Sequence, residues 1–310
     1  MNRKTYFFID DVIWCFRDIA RQKPKSIFDQ HYLGMFKKLH DRFGFKVVLN
    51  CFFRTDYYYG DDEFTLYEMP DTYKAEWEAN SDWLKIGFHA KQEFPDYPNI
   101  NIDYDDMKNL YTRFANEVKR FAGENILSTT FNPHWSPMSR EGCQAMKDCG
   151  IKVICATAGD KAEYNGDPAS LPYGHAGRLL NNRKPETGVF IRESRDGAIS
   201  HSLCGYNHMT KEDYAKTKFT CDFVHNEEMD IYHKKSFNCS LMNLTPLDEI
   251  EAEVEAVMGM EYVSLGTHEQ YAYPEYYAYQ PDTYEKFVKA CEILERNGYE
   301  YVFVEDLLEL

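Results

Sequence analysis

No two cysteines in this chain of 310 residues are spaced as CxxC, and their number, nine, is odd. Cys15, Cys51, Cys143, Cys149, Cys155, Cys204, Cys221, Cys239 and Cys291 therefore do not read as a disulfide framework, and a reducing compartment is expected. Basic charge is also scarce. The 35 Lys plus Arg face 51 Asp plus Glu, a balance of −16, and no basic stretch could serve as a phosphate footprint. Nucleic acid and anionic membrane surfaces are accordingly not expected as partners. Long apolar runs are missing too. Tyr6 to Ile9 stops at two aspartates and is too short for a signal-peptide core, and no other window approaches a membrane span. A soluble, cytoplasmic protein is the expectation. There is no internal repeat and no low-complexity segment.

What is present is ample material for a core, at 44% apolar residues, and an aromatic share of 16% with 24 Tyr and 21 Phe. Aromatics in that number suit a wall that contacts sugar or protein. Short apolar runs alternate with amphipathic stretches. Runs at 5–9, 46–53, 84–88, 127–131, 151–155, 262–265 and 299–304 read as buried strands. Between them, Ser26 with Asp29 opens a helix that ends at Gly44, and others run from about Asp103 to Gly123, Ser139 to Gly150, Pro246 to Gly259 and Asp282 to Gly298. Strand then helix, repeated, predicts an α/β fold: a distorted (β/α) barrel of about seven parallel strands forming a single domain over 1–310. The stretch at about 157–245 breaks the rhythm and reads as an insertion, with a β-hairpin on the Asp196-Gly197 turn between 188–192 and 198–202.

Barrels of this kind carry function on the loops that leave the carboxyl ends of their strands. Those positions are polar here. They hold Asp10 and Asp11, Arg54 and Asp56, His89 with Glu93 four residues on, Asn132-Pro133-His134-Trp135, and His268-Glu269. Singly, each is as readily a turn, a cap or a solvated face. Together, Asp11, His89 and Glu93 can offer one imidazole and two carboxylates to a divalent ion with positions left for water. Asp10 can then take a proton from that water and His268 can hand one to a leaving group. Trp77, Trp83, Trp135, Tyr271, Tyr273, Tyr276, Tyr277 and Tyr279 are candidates to stack on sugar rings. His175, His201 and His208, in the insertion, more readily decorate the surface.

In this order the segments resemble the polysaccharide deacetylase family, the NodB-homology domain of carbohydrate esterase family 4. Phe7-Phe8-Ile9-Asp10-Asp11 matches its paired aspartate, His89-Ala-Lys-Gln-Glu93 its His-x-x-x-His motif with Glu in the last place, and Phe131 to Ser136 its third motif with Asn132 where arginine is usual. Val263 to His268 and Leu294 to Val304 match the closing signature. The resemblance implies a β/α barrel that hydrolyses N- or O-acetyl groups on sugars with one divalent ion, of which Zn, Mn, Co, Ni and Fe are all open. It assigns Asp10 as general base, His268 as general acid, and Asp11, His89 and Glu93 as ligands, with His134 a further candidate ligand. Arg54, Asp56, Asn132, His134, Trp135, Glu269 and Tyr271 are the expected substrate contacts, the substrate being an acetylated carbohydrate or small molecule. A homo-oligomer is allowed. Two other readings stand beside the hydrolase: a metal-independent glycosidase working with paired carboxylates, and a non-catalytic carbohydrate-binding or regulatory relic, favoured by Glu93 in place of histidine.

Overall fold

The computed structural model describes residues 3–55, 63–93, 98–99, 102–136, 138–156, 223–235, 243, 245–276 and 278–309. The first strand, β1 (Arg3–Val12), is buried along nearly its whole length. It lies in parallel between β2 (Val47–Phe52) and β8 (Tyr262–His268), and β2 pairs in parallel with β3 (Leu84–Ala90). The short β9 (Tyr299–Tyr301) pairs with the start of β1. A second ladder holds β4 (Thr130–Phe131), β5 (Val153–Ala156), β7 (Ile231–Lys235) and the antiparallel β6 (Val224–Asn226). A parallel bridge from Ile86 to Leu127 connects the two. All seven expected strands are present. Among the described residues they form two joined ladders, and the ring does not close.

The expected hairpin at 188–202 lies outside the described residues, as do His175, His201 and His208. Within the stretch read as an insertion, β7 is a member of the sheet and continues it in parallel from β5.

Alternation along β1 separates two apolar layers. Phe7 and Ile9 face the helices, where Phe7 meets the rings of Phe45 and Phe287. Tyr6 and Phe8 point the other way, toward Val48, Val153 and Phe303. Each such buried phenylalanine contributes about 1.5–3 kcal/mol relative to exposure. Trp77 and Trp83 are buried in the first layer, as are Tyr271, Tyr273 and Tyr276, which corrects the expectation that these rings stack on a sugar. Tyr279 is exposed, and Tyr277 lies outside the described residues.

The helices are α1 (Trp14–Gln22), α2 (His31–Phe43), α3 (Lys74–Ala79), α4 (Tyr104–Phe121), α5 (Arg140–Asp148), α6 (Ile250–Glu255) and α7 (Thr283–Arg296). Asp103 and Ser139 cap α4 and α5 through their side chains, accepting from the N–H of Asp106 and Gly142. The helix expected from Ser26 is split. Ser26 and Asp29 form a capping box on a single tight turn, and then Gln30, in extended backbone, accepts from the N–H of Tyr32 and Leu33 and starts α2 afresh. No described helix is long and apolar enough to cross a membrane.

Candidate metal centre

In a regular strand neighbouring side chains point to opposite faces, so Asp10 and Asp11 could not both serve one site. A bulge resolves this. Ile9 pairs with Leu49 but Val12 with Cys51, so β1 carries one extra residue there, and Asp11 sits in the left-handed region at φ 59°. The same device recurs on β3, where Phe88 pairs with Cys51 and Ala90 with Phe52, which leaves His89 as the extra residue. His134 comes from the turn after β4, and its N–H donates to the His89 carbonyl at 3.2 Å. Trp135 and Ser136, which follow it, are both left-handed.

These irregularities bring three buried atoms together. Asp11 Oδ1 lies 3.1 Å from His89 Nε2 and 3.1 Å from His134 Nδ1, and the two ring nitrogens are 3.1 Å apart. The far nitrogen of each ring is engaged by a carbonyl: His89 Nδ1 with Asn132 O at 2.6 Å, and His134 Nε2 with Glu93 O at 3.0 Å. Only an N–H can satisfy a carbonyl, so the protons sit on those far nitrogens and two lone pairs face inward beside the carboxylate. Asp11 Oδ1 accordingly accepts no hydrogen bond despite its burial.

Three inward acceptors this close make a set that could hold a cation. A four- to six-coordinate ion with ligands at about 2.0–2.2 Å sets neighbouring donor atoms about 3.0–3.4 Å apart, the spacing found here. The carbonyls behind both imidazoles are the usual outer support of ligating histidines. The donor set therefore fits a divalent metal.

The charges agree. Burial pushes the Asp11 carboxyl up, but His268, His134 and His89 around it more than reverse this and hold it well below the usual carboxylate range. Burial pushes His89 down, yet Asp10 and Asp11 leave it above its ordinary value, whereas burial prevails at His134 and lowers it.

Asp10 is held beside this cluster by two amides. Asn50 Nδ2 donates to its Oδ1 at 2.6 Å, and Asn132 Nδ2 donates to both of its oxygens at 2.9 Å. Asn132, expected against substrate, is thus a support for Asp10. His268, the last residue of β8, pairs in register with Asp10 and presents Nε2 at 3.7 Å from Asp11 Oδ2.

Other expectations are corrected. Glu93 is not in the triad: its Oε1 is 4.0 Å from His134 Nε2, on the outer side of that ring, and its Oε2 accepts from Gln270 Nε2 at 3.3 Å. β3 ends at Ala90 and the backbone bends at 91–93, so Glu93 does not continue the alternation of the strand that carries His89. Glu269 is fully buried, with its carboxylate accepting the N–H groups of Ile13, Trp14 and Cys15, so it faces no substrate. Tyr271 is buried behind His268, ring centres 6.2 Å apart. The Arg54 guanidinium bonds its neighbour Thr55 O and Glu63. Trp135 stands half-buried beside His134, ring centres 6.1 Å apart. Asp56 lies outside the described residues. Asn50 and Asn243, which touch Asp10 and His268, were not singled out from sequence. Asn50 is the one polar residue within the apolar stretch 47–53 and could have been found as such.

No family model matches the sequence, and no curated protein matches it. Solved structures do. The 4-alpha-glucanotransferase of Thermococcus litoralis aligns over 100% of this chain with a TM-score of 0.52 at 10% identity. The likeness is one of fold. The chain spans 40% of that structure's length. A family 4 acetyl xylan esterase of Clostridium thermocellum, solved with a cobalt ion, is 11% identical, with 99% of this chain and 91% of that one covered and a TM-score of 0.42. The CE4 domain of a multidomain xylanase from the hindgut metagenome of Trinervitermes trinervoides is 10% identical, with coverage of 100% and 91% and a TM-score of 0.42.

Proposed function

We propose that the protein is a metal-dependent hydrolase that removes an N- or O-acetyl group from a sugar or glycoconjugate. The observation that supports this most is the convergence of Asp11 Oδ1, His89 Nε2 and His134 Nδ1, three inward acceptors 3.1 Å apart, between Asp10 and His268. Asp11, His89 and His134 would hold the ion. When bound, a divalent ion polarises the acetyl carbonyl and stabilises charge on its oxygen. Asp10, fixed by Asn50 and Asn132, takes the proton of the attacking water. His268 Nε2, across the cluster, supplies a proton to the departing amine or alcohol.

His134 as third donor weakens the argument for a relic, which rested on Glu93 occupying that place. A glycosidase is the second reading, favoured by the fold likeness to a glucanotransferase. It would need two carboxylates free to flank a glycosidic bond, whereas Asp11 is buried against the inward nitrogens of two imidazoles.

Metal analysis of the purified protein and its Asp11→Ala and His89→Ala forms, with acetate release measured on acetylated sugars, tests the proposal. Stoichiometric metal lost in both variants, and acetate release abolished by Asp10→Asn, is the expected result. Failure to load Zn, Mn, Co, Ni or Fe under any condition would overturn it.

A further inference from the structure

His268 stands on a second residue that comes from outside the strand and loop motifs. Asn243 is buried, and its Oδ1 accepts from Thr267 Oγ1 at 2.7 Å and from the backbone N–H of His268 at 3.0 Å. A backbone N–H can only donate, so this oxygen cannot exchange places with the amide nitrogen. Nδ2 is thereby turned to the imidazole, 2.9 Å from His268 Nδ1, with Oδ1 at 3.2 Å from the same nitrogen. An amide N–H at 2.9 Å needs a lone pair to meet it. A proton on Nδ1 would instead face that N–H and compete for an oxygen that already accepts twice.

We propose that Asn243 is a positioning residue that locks His268 in the tautomer with its proton on Nε2, the nitrogen that faces Asp11 Oδ2 at 3.7 Å. The consequence for catalysis rests on the hydrolase reading above; the tautomer itself does not. In that reaction the neutral ring's Nε2–H stands on the same side as the metal ligands as a hydrogen-bond donor to a developing oxyanion. It passes to a leaving atom only from the imidazolium, whose Nδ1–H would turn to Asn243 Oδ1 at 3.2 Å. The neutral amide also differs in kind from a carboxylate at this position, which would accept from Nδ1–H and leave Nε2 bare in the neutral ring.

Full-length protein labelled with 15N-histidine, metal-free and zinc-loaded, gives the test. The His268 signals are identified by their loss in His268→Gln, at a pH where the ring is neutral. The expected pattern is a protonated-type Nε2 and a lone-pair-type Nδ1. Asn243→Asp should reverse the pattern and Asn243→Ala should average it. On an acetylated sugar, Asn243→Asp should lower kcat by about 10²- to 10⁴-fold, the range over which a mis-set histidine tautomer acts, with KM and metal content unchanged. A wild-type proton on Nδ1, or a pattern that Asn243→Asp and Asn243→Ala both leave unmoved, overturns the assignment. Should the wild type release no acetate, the hydrolase reading fails while the nitrogen shifts still decide the role of Asn243.

Discussion

Glu269 Oε2 accepts the backbone N–H of Trp14 at 2.7 Å, so the residue after β8 closes the N-terminus of a helix that begins 255 positions earlier. It takes the N–H groups of Ile13 and Cys15 as well, and so satisfies three donors that a helix start leaves open. The same contact ties the chain just after Asp11 to the chain just after His268. Burial pushes this carboxyl up to about 7, against the pull of those three N–H groups.

A carboxyl raised in the folded state contributes stability that is complete below its unfolded value of 4.5 and is lost as pH rises through about 7. Glu269→Gln cannot titrate, and its NH2 would oppose one of the N–H donors, which costs about 1–3 kcal/mol. The variant is therefore expected to be less stable at pH 5, and the gap should narrow between pH 5 and 8. Urea unfolding of both proteins across that range checks it; a constant gap would reject the assignment.

The triad makes a prediction that separates it from the expected ligand set of Asp11, His89 and Glu93. His134→Ala should lose metal as fully as His89→Ala, while Glu93→Gln should keep the ion with affinity changed by less than about tenfold, since its carboxylate lies outside the ligand set. Metal titration of the three variants decides. Retention by His134→Ala with loss in Glu93→Gln would restore Glu93 as the ligand.

Asn132→Ala and Asn50→Ala each remove an amide from Asp10 while leaving the ligands in place. Each is expected to lower kcat by about ten- to a hundredfold, because a proton acceptor misplaced by about 1 Å loses alignment on that scale. KM and metal content should not move, and a change confined to KM would place these amides against substrate.

Gly87 pairs in register with Asn50, and a Cβ built on it would come within 2.6 Å of Asn50 Oδ1. Gly87→Ala should displace the Asn50 side chain, cost about 1–3 kcal/mol by overpacking and depress kcat as Asn50→Ala does. Combining the two substitutions should cost little more activity than either alone, a non-additivity that a double-mutant cycle measures.

The strands were legible because parallel strands buried on both faces leave continuous apolar runs. The helix α1 was not, because no capping residue precedes it: the residue before Trp14 is Ile13, and the cap is Glu269. Asn132 could be placed at the barrel mouth but its role could not, since its partner Asp10 lies 122 positions away. Glu93 was placed ahead of His134 by its position in the His-x-x-x-His-like motif, whereas β3 ends at Ala90 and the ring that meets Asp11 and His89 comes from the turn after β4. Asn243 lies in the stretch read as an insertion, where no periodicity pointed to it.

The extra residues in β1 and β3 make the centre depend on two breaks in the ladder. Removing one residue from 9–12 of β1 would restore unbroken pairing with β2 and return the alternation that sends adjacent carboxylates to opposite faces. Such a shortened protein would hold a more regular sheet and no place for a cation. In this fold the defect in the ladder and the capacity for chemistry are inherited together, and a repair of the first is a deletion of the second.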